Sequence, residues 1–183
     1  MTTNGVSHAL DMVVSALTEP GDVVLMEEPS YFLAHQIFLD HGTRVLGVVA
    51  DAGGLDTDAL AQRLATGDLS QMRPKLCYLV PAHGNPHGRS LSVERRRHLV
   101  RLAEEHDFLI VADEVYHLLD WSASGPCPRL LCFDTVYRRR LLASSAGGSA
   151  AQGDAKDQDD VTDDDPVYAQ VTKGIDVIRQ GAE

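Results

Sequence analysis

The chain has 183 residues, of which 44% are hydrophobic, and a formal net charge of −11. This length and composition suit one globular domain with a sizeable core, and the charge disfavours nucleic acid or an anionic membrane as the main partner. Its three cysteines form no CxxC pair and no metal-ligand spacing, and no apolar run approaches the ~20 residues that cross a bilayer. We therefore expect a soluble cytoplasmic protein without a metal site.

The first 142 residues alternate helix-like and strand-like segments. Apolar spacing predicts helices after Gly5, over 31–41, after Asp56 and over 92–106. Short apolar runs predict strands over 22–26, 44–49, 75–80 and 108–112. In the helix over 92–106, the three consecutive arginines Arg95–Arg97 are expected to face the solvent. Strands that alternate with helices predict an α/β fold with a mainly parallel sheet.

The composition changes after Leu142. Residues 143–166 are almost entirely Ser, Ala, Gly, Gln and Asp, and seven aspartates fall between Asp154 and Asp165. Such a segment buries too little apolar surface to offset its ordering entropy, so we expect an acidic, disordered linker. Residues 167–183 are predicted to form a short helical tail. The predicted organisation is thus a folded part over 1–142, a linker over 143–166 and the tail.

Two loops that follow predicted strands carry polar side chains. Residues 81–88 read PAHGNPHG and residues 112–116 read ADEVY. Because the carboxyl ends of neighbouring parallel strands meet at one edge of a sheet, Asn85, Asp113 and Tyr116 are expected to converge on one crevice. Taken singly, the first loop also fits a plain Pro/Gly turn, and the aspartate fits a helix N-cap.

Polar groups elsewhere are less specific. Gly5-Val6-Ser7 opens the first helix, where free N–H groups suit a phosphate, although a simple turn-to-helix junction fits equally well. The histidines near these motifs are expected to lie on loops or on the surface: His8, His83, His87 and His117.

Four sequence blocks together indicate a family: NGVSHALD, EEPSYF, VPAHGNPHG and ERRRHLVRLAEEHDFLIVADEVYHLL. In order and spacing, over about residues 1–131, they resemble the large domain of the class I/II aminotransferases, the fold-type-I enzymes that use pyridoxal 5′-phosphate (PLP). The resemblance is closest to the branch that contains aminoadipate and kynurenine aminotransferases. It implies a three-layer α/β/α fold, PLP as cofactor, an amino acid and a 2-oxo acid as substrates, and a homodimer.

The resemblance implies that six residues bind the cofactor: Val6, Ser7, Tyr31, Asn85, Asp113 and Tyr116. The backbone amides of the first two would hold the phosphate, Tyr31 would stack on the pyridine ring, and Asn85 and Tyr116 would hydrogen-bond its O3′. Asp113 would pair with the protonated ring nitrogen, so that the ring can accept electrons from the substrate. The family also bends its chain at the cofactor, which predicts cis peptide bonds at Glu28-Pro29 and Asn85-Pro86.

The chain departs from the family pattern at the catalytic lysine. The family carries this Schiff-base lysine in a Ser-x-Ser-Lys context beyond the aspartate, whereas residues 141–148 (LLASSAGG) contain serines and no lysine. Lys75, Lys156 and Lys173 have no matching context. We therefore expect no catalytic residue in this chain, which we interpret as a fragment of an aminotransferase.

The motifs allow three other interpretations. One is a catalytically inactive module that holds PLP without a covalent bond or uses the fold for dimerisation. A PLP-dependent lyase also stays open, because the same Asp, Asn and Tyr serve elimination chemistry. The aminotransferase-like half of a transcription regulator is disfavoured, because no helix-turn-helix precedes the motifs.

Overall fold

The computed structural model describes residues 3–121, 125–134 and 175–178. The helices are α1 (Val6–Leu17), α2 (Phe32–Asp40), α3 (Thr57–Ala65) and α4 (Val93–His106). The strands are β1 (Val23–Glu28), β2 (Arg44–Asp51), β3 (Gly54–Leu55), β4 (Leu76–Leu79), β5 (Leu109–Asp113) and β6 (Ile175–Ile178). All predicted helices and strands of the first 142 residues are confirmed. None of the helices in the described ranges is long and apolar enough to span a membrane.

The strands form one mixed sheet in the order β3-β2-β1-β4-β5-β6. Its centre is parallel: β1 pairs with β2 and with β4, and β4 pairs with β5. The two outer strands, β3 and β6, pair antiparallel with their neighbours. The carboxyl ends of β1, β4 and β5 therefore lie side by side at one edge of the sheet.

Helices cover both faces of this sheet. Helices α1 and α2 pack on one face, against Val24 and Tyr78 among others. Helices α3 and α4 pack on the other, against Leu25 and Cys77 among others. Neighbouring residues of one strand thus serve opposite cores, because side chains alternate along a strand. The predicted three-layer α/β/α architecture is confirmed.

Local signals set the starts of two helices. The Asp56 carboxylate accepts the backbone N–H groups of Asp58 and Ala59 at 3.0 Å each, which caps α3. The Ser92 hydroxyl accepts the N–H of Arg95 at 3.3 Å, which caps α4. Such caps stabilise a helix by about 1 kcal/mol, and the sequence predicted the one at Asp56.

The prediction of a helical tail is wrong for Ile175–Ile178. These residues form β6, which runs antiparallel to β5 and places Ile175 opposite Asp113. Three of the four residues are β-branched, which favours a strand, and the edge of β5 offers backbone groups to pair with. The rest of the predicted tail and the predicted linker lie outside the described residues.

Candidate functional site

A pocket of about 210 Å³ lies at the carboxyl edge of the sheet. Its lining includes all six residues predicted to bind the cofactor: Val6, Ser7, Tyr31, Asn85, Asp113 and Tyr116. The remaining lining is apolar and comes from Leu10, Ile37, Val80 and Val115. The predicted convergence of the two strand-end loops with the start of α1 is confirmed.

Both predicted cis peptide bonds are present. Glu28-Pro29 ends β1 and precedes Tyr31, and Asn85-Pro86 lies in the loop after β4. These bonds lie in the two chain segments that bring Tyr31 and Asn85 to the pocket.

Helix α1 begins at the pocket without a side-chain cap. Its N-cap is Gly5, whose φ of +87° favours glycine, and none of the described side chains accepts a hydrogen bond from the N–H groups at this helix end. The amides of the first turn therefore keep their hydrogen-bonding capacity, and the helix dipole makes this end positive. Val6 and Ser7 line the pocket here, so the position suits an anion such as a phosphate.

Asp113 places a carboxylate in this pocket. It ends β5 and is only 4% exposed. The Tyr78 hydroxyl donates a hydrogen bond of 2.9 Å to Oδ2, whereas Oδ1 is buried and accepts none from the described residues. Burial raises the pKa of Asp113, an effect that the hydrogen bond from Tyr78 opposes. A buried carboxylate oxygen without a donor suits a ligand that brings a cationic N–H group.

Tyr78 is a site residue that sequence reasoning missed. It is fully buried on β4 opposite Val111 of β5. Asp113 lies two residues beyond Val111, so it emerges on the same face as Tyr78 and diagonally across from it. The sequence showed a tyrosine within an apolar strand, but the partner across the sheet depends on strand register, which the sequence does not reveal.

The expectation that Arg95–Arg97 form a solvent-facing group is wrong for Arg96. Its guanidinium is fully buried and donates to the backbone carbonyls of Leu91 at 2.9 Å, Pro128 at 3.2 Å and Pro81 at 2.7 Å. It also lies 3.8 Å from Oε1 of Glu114. The helical spacing from Arg96 to the inward Leu99 and Ala103 was a signal for this. Arg96 therefore connects the start of the loop that carries Asn85, residues 81–88, to the segment that follows β5.

The expectation that the histidines near these motifs lie on loops or on the surface is wrong for His117, which is buried at the start of a short 3-10 helix. This residue is 1% exposed, and its Nδ1 lies 3.3 Å from Oε2 of the equally buried Glu114. Burial alone would raise the pKa of Glu114, but His117, Arg96 and the amide of Leu130 together hold it below its usual value. A charged, buried cluster thus supports the backbone next to Asp113.

His87 lies on a loop, as expected, but only 7% of its side chain is exposed. The backbone N–H of Arg89 donates to His87 Nδ1 at 3.0 Å, so the neutral ring carries its proton on Nε2. That nitrogen lies 3.3 Å from Oε1 of Glu27, whose side chain is 3% exposed. Burial lowers the pKa of His87 and raises that of Glu27 to about 7. The pair links the Asn85 loop to the end of β1.

Comparison with known proteins places this geometry in a family. The family model described as aminotransferase class I and II matches residues 1–147. Aromatic-amino-acid aminotransferase 1 of Thermococcus litoralis is 33% identical over 70% of this chain and 31% of its own length. The uncharacterized HTH-type transcriptional regulator YjiR of Escherichia coli is 33% identical over 82% of this chain and 31% of its own.

A solved structure shows the same fold. It is LysN, the α-aminoadipate aminotransferase of Thermus thermophilus, complexed with N-(5′-phosphopyridoxyl)-L-leucine. It is 33% identical with a TM-score of 0.64, over 79% of this chain and 33% of that protein. The chain spans about a third of the length of these relatives. The family match covers most of the sequence and contains the residues of the pocket, so the chain belongs to the class I and II aminotransferase family.

Proposed function

We propose that this chain supplies the pyridoxal-phosphate-binding part of an aminotransferase-like protein. One observation carries the proposal: a pocket that gathers all six nominated residues contains a buried carboxylate oxygen, Asp113 Oδ1, to which no described residue donates. PLP brings the groups that this pocket lacks, namely a dianionic phosphate, a flat ring and a protonated ring nitrogen. The residues present therefore fit the cofactor.

Each residue has a role that its position supports. The uncapped amides at Val6 and Ser7 would bind the phosphate. Tyr31 would cover the face of the ring, and Asn85 and Tyr116 would donate to the ring oxygen. Asp113 would accept the ring N–H and keep that nitrogen protonated. When bound, PLP supplies an electron sink for bond cleavage at the substrate Cα.

The activity of the whole protein is proposed from the family. Two of the relatives named above are aminotransferases by name, which supports transfer of an amino group from an amino acid to a 2-oxo acid. A homodimeric assembly is proposed from the family resemblance alone. In this chain, residues 141–148 contain no lysine. We propose that the 183-residue chain binds the cofactor without a covalent bond and does not complete the reaction by itself.

A second candidate function follows from the same missing lysine. The chain would be an inactive module that keeps the fold for cofactor binding or dimerisation alone. The two candidates differ in the turnover of the whole protein: in the first, a protein that contains this chain exchanges an amino acid for its 2-oxo acid, whereas the module binds the cofactor or a second copy without exchange.

The test uses pyridoxamine 5′-phosphate, because it has no aldehyde that could react with the lysines of the chain. We expect saturable NMR shift changes at the pocket residues of the full chain. Asp113→Asn should weaken binding about tenfold or more, since the ring nitrogen loses its charged partner. Asp58→Asn, in the first turn of α3, serves as the control and should bind like the unchanged chain. Shift changes that do not saturate, or equal binding by Asp113→Asn, would refute the proposal.

A further inference from the structure

Tyr78 makes a polar contact to the central acid of the pocket. Its side chain is fully buried between the sheet and α2, with its ring edge-on to Phe38 at 5.6 Å. Its hydroxyl donates to Asp113 Oδ2 at 2.9 Å. A buried hydroxyl that reaches from β4 to one carboxylate oxygen on the neighbouring β5 leaves the other oxygen of that carboxylate for a ligand.

We propose that Tyr78 is a positioning residue of the cofactor site, which holds Asp113 so that Oδ1 is the oxygen presented to the ring nitrogen. The inference rests on the proposed function. It adds a residue that does not itself line the pocket and acts only through Asp113.

Geometry is the first reason. The terminal torsion of an aspartate is soft and nearly two-fold, so a carboxylate without a fixed partner can turn either oxygen toward a ligand. The bond from Tyr78 engages Oδ2 and so removes this freedom before a ligand arrives. Because the Asp113 side chain already has this orientation, no conformational entropy is lost in ordering it when the cofactor binds.

Charge is the second reason. Burial raises the pKa of Asp113, and the neighbouring Glu114 carboxylate raises it further. The hydrogen bond from Tyr78 and the backbone amide of Val115 act in the opposite direction and favour the ionised form. A protonated Asp113 could not form an ion pair with the ring nitrogen, so Tyr78 helps to keep the acid in its useful state. Burial and the Asp113 charge raise the pKa of Tyr78 itself, so its hydroxyl stays a donor.

The experiment removes the hydroxyl of Tyr78. Tyr78→Phe removes the donor and keeps the ring, and Phe38→Leu is the control because it disturbs the packing around Tyr78 and leaves the hydroxyl in place. The first measurement is made without ligand, by following the Asp113 carboxyl carbon through a pH titration by ¹³C NMR. We expect a higher pKa for Asp113 in Tyr78→Phe and an unchanged one in Phe38→Leu. An unchanged value in both variants would overturn the proposal.

The second measurement compares two ligands, pyridoxamine 5′-phosphate and its 1-deaza analogue, which has no ring nitrogen. Tyr78→Phe should weaken binding of the first about tenfold and leave the second unaffected. Equal weakening of both ligands would indicate a general loss of structure and would contradict the proposal. Failure of the unchanged chain to bind pyridoxamine 5′-phosphate would refute the proposed function, whereas the ligand-free titration would still decide whether Tyr78 governs Asp113.

Discussion

Replacing Arg96 by methionine should strongly destabilise the fold. The methionine chain fills much of the same volume but donates no hydrogen bond. The carbonyls of Leu91 and Pro128 would lose the bonds that they receive from the guanidinium. Pro81 would keep the bond from the Leu91 amide at 2.9 Å, and Glu114 would lose the cation 3.8 Å away.

The size of the effect can be worked from these contacts. Each buried acceptor without a donor costs about 1–3 kcal/mol, and a buried charge that loses its partner costs about 3–5 kcal/mol. Because the Leu130 amide and His117 still contact Glu114, we expect a total loss of about 3–5 kcal/mol in the free energy of unfolding. Arg96→Lys keeps the charge but cannot reach three carbonyls in one plane, so it should lose an intermediate amount.

Urea unfolding followed by circular dichroism measures this loss directly. The control is Arg101→Met on the same helix, because Arg101 is exposed and its replacement should change stability by less than about 0.5 kcal/mol. If Arg96→Met were within about 1 kcal/mol of that control, the buried cluster would not support the fold as argued. An intermediate loss of stability in Arg96→Lys would distinguish the contribution of the positive charge from that of the guanidinium hydrogen bonds.

Three further predictions concern other residues. The pKa of Glu27 rises from an ordinary value of 4.5 to about 7, so the folded state binds its proton more tightly than the unfolded state does. Stability should therefore fall by up to about 3 kcal/mol as the pH rises from about 4.5 to 7. Glu27→Gln should flatten that part of the profile of thermal stability against pH. Parallel profiles of the unchanged chain and the variant would show that Glu27 does not cause this pH dependence. Gly84→Ala should lower stability in urea unfolding, since a Cβ there would collide with the ring of His87; an unchanged free energy of unfolding would show that this contact does not matter. Gly88→Ala, at a φ of +69° and with nothing within 4 Å of its Cβ, measures the cost of backbone strain without a collision. Borohydride reduction with PLP should yield no stoichiometric pyridoxyl-lysine by mass spectrometry, and the chain should show no measurable transamination. The reason is the missing lysine, because a positioned acid–base group contributes about 10²–10⁴-fold in rate. A stoichiometric adduct on Lys156 or Lys173 together with turnover of an amino acid would contradict this prediction.

The sequence by itself determined helices α1–α4, the parallel strands β1, β2, β4 and β5, and the grouping of three pocket residues. Helix and strand periods, the cap at Asp56 and the polar loops after two apolar strands are local signals, which can be read from one sequence without knowledge of distant contacts. Once the strands are known to be parallel, the polar ends of two neighbours must share an edge. Asn85, Asp113 and Tyr116 could therefore be grouped before any coordinates, with the family resemblance adding their roles.

Only the tertiary structure decided which partners these residues have. The contact between Tyr78 and Asp113 depends on the register of β4 against β5, and the strand at Ile175–Ile178 depends on pairing with the distant β5. The burial of Arg96 depends on which segments cover its face of α4. A periodic pattern shows which side chains share a face of one element, but register and covering segments are set by contacts between residues far apart in the chain, where packing and hydrogen bonding override local preference.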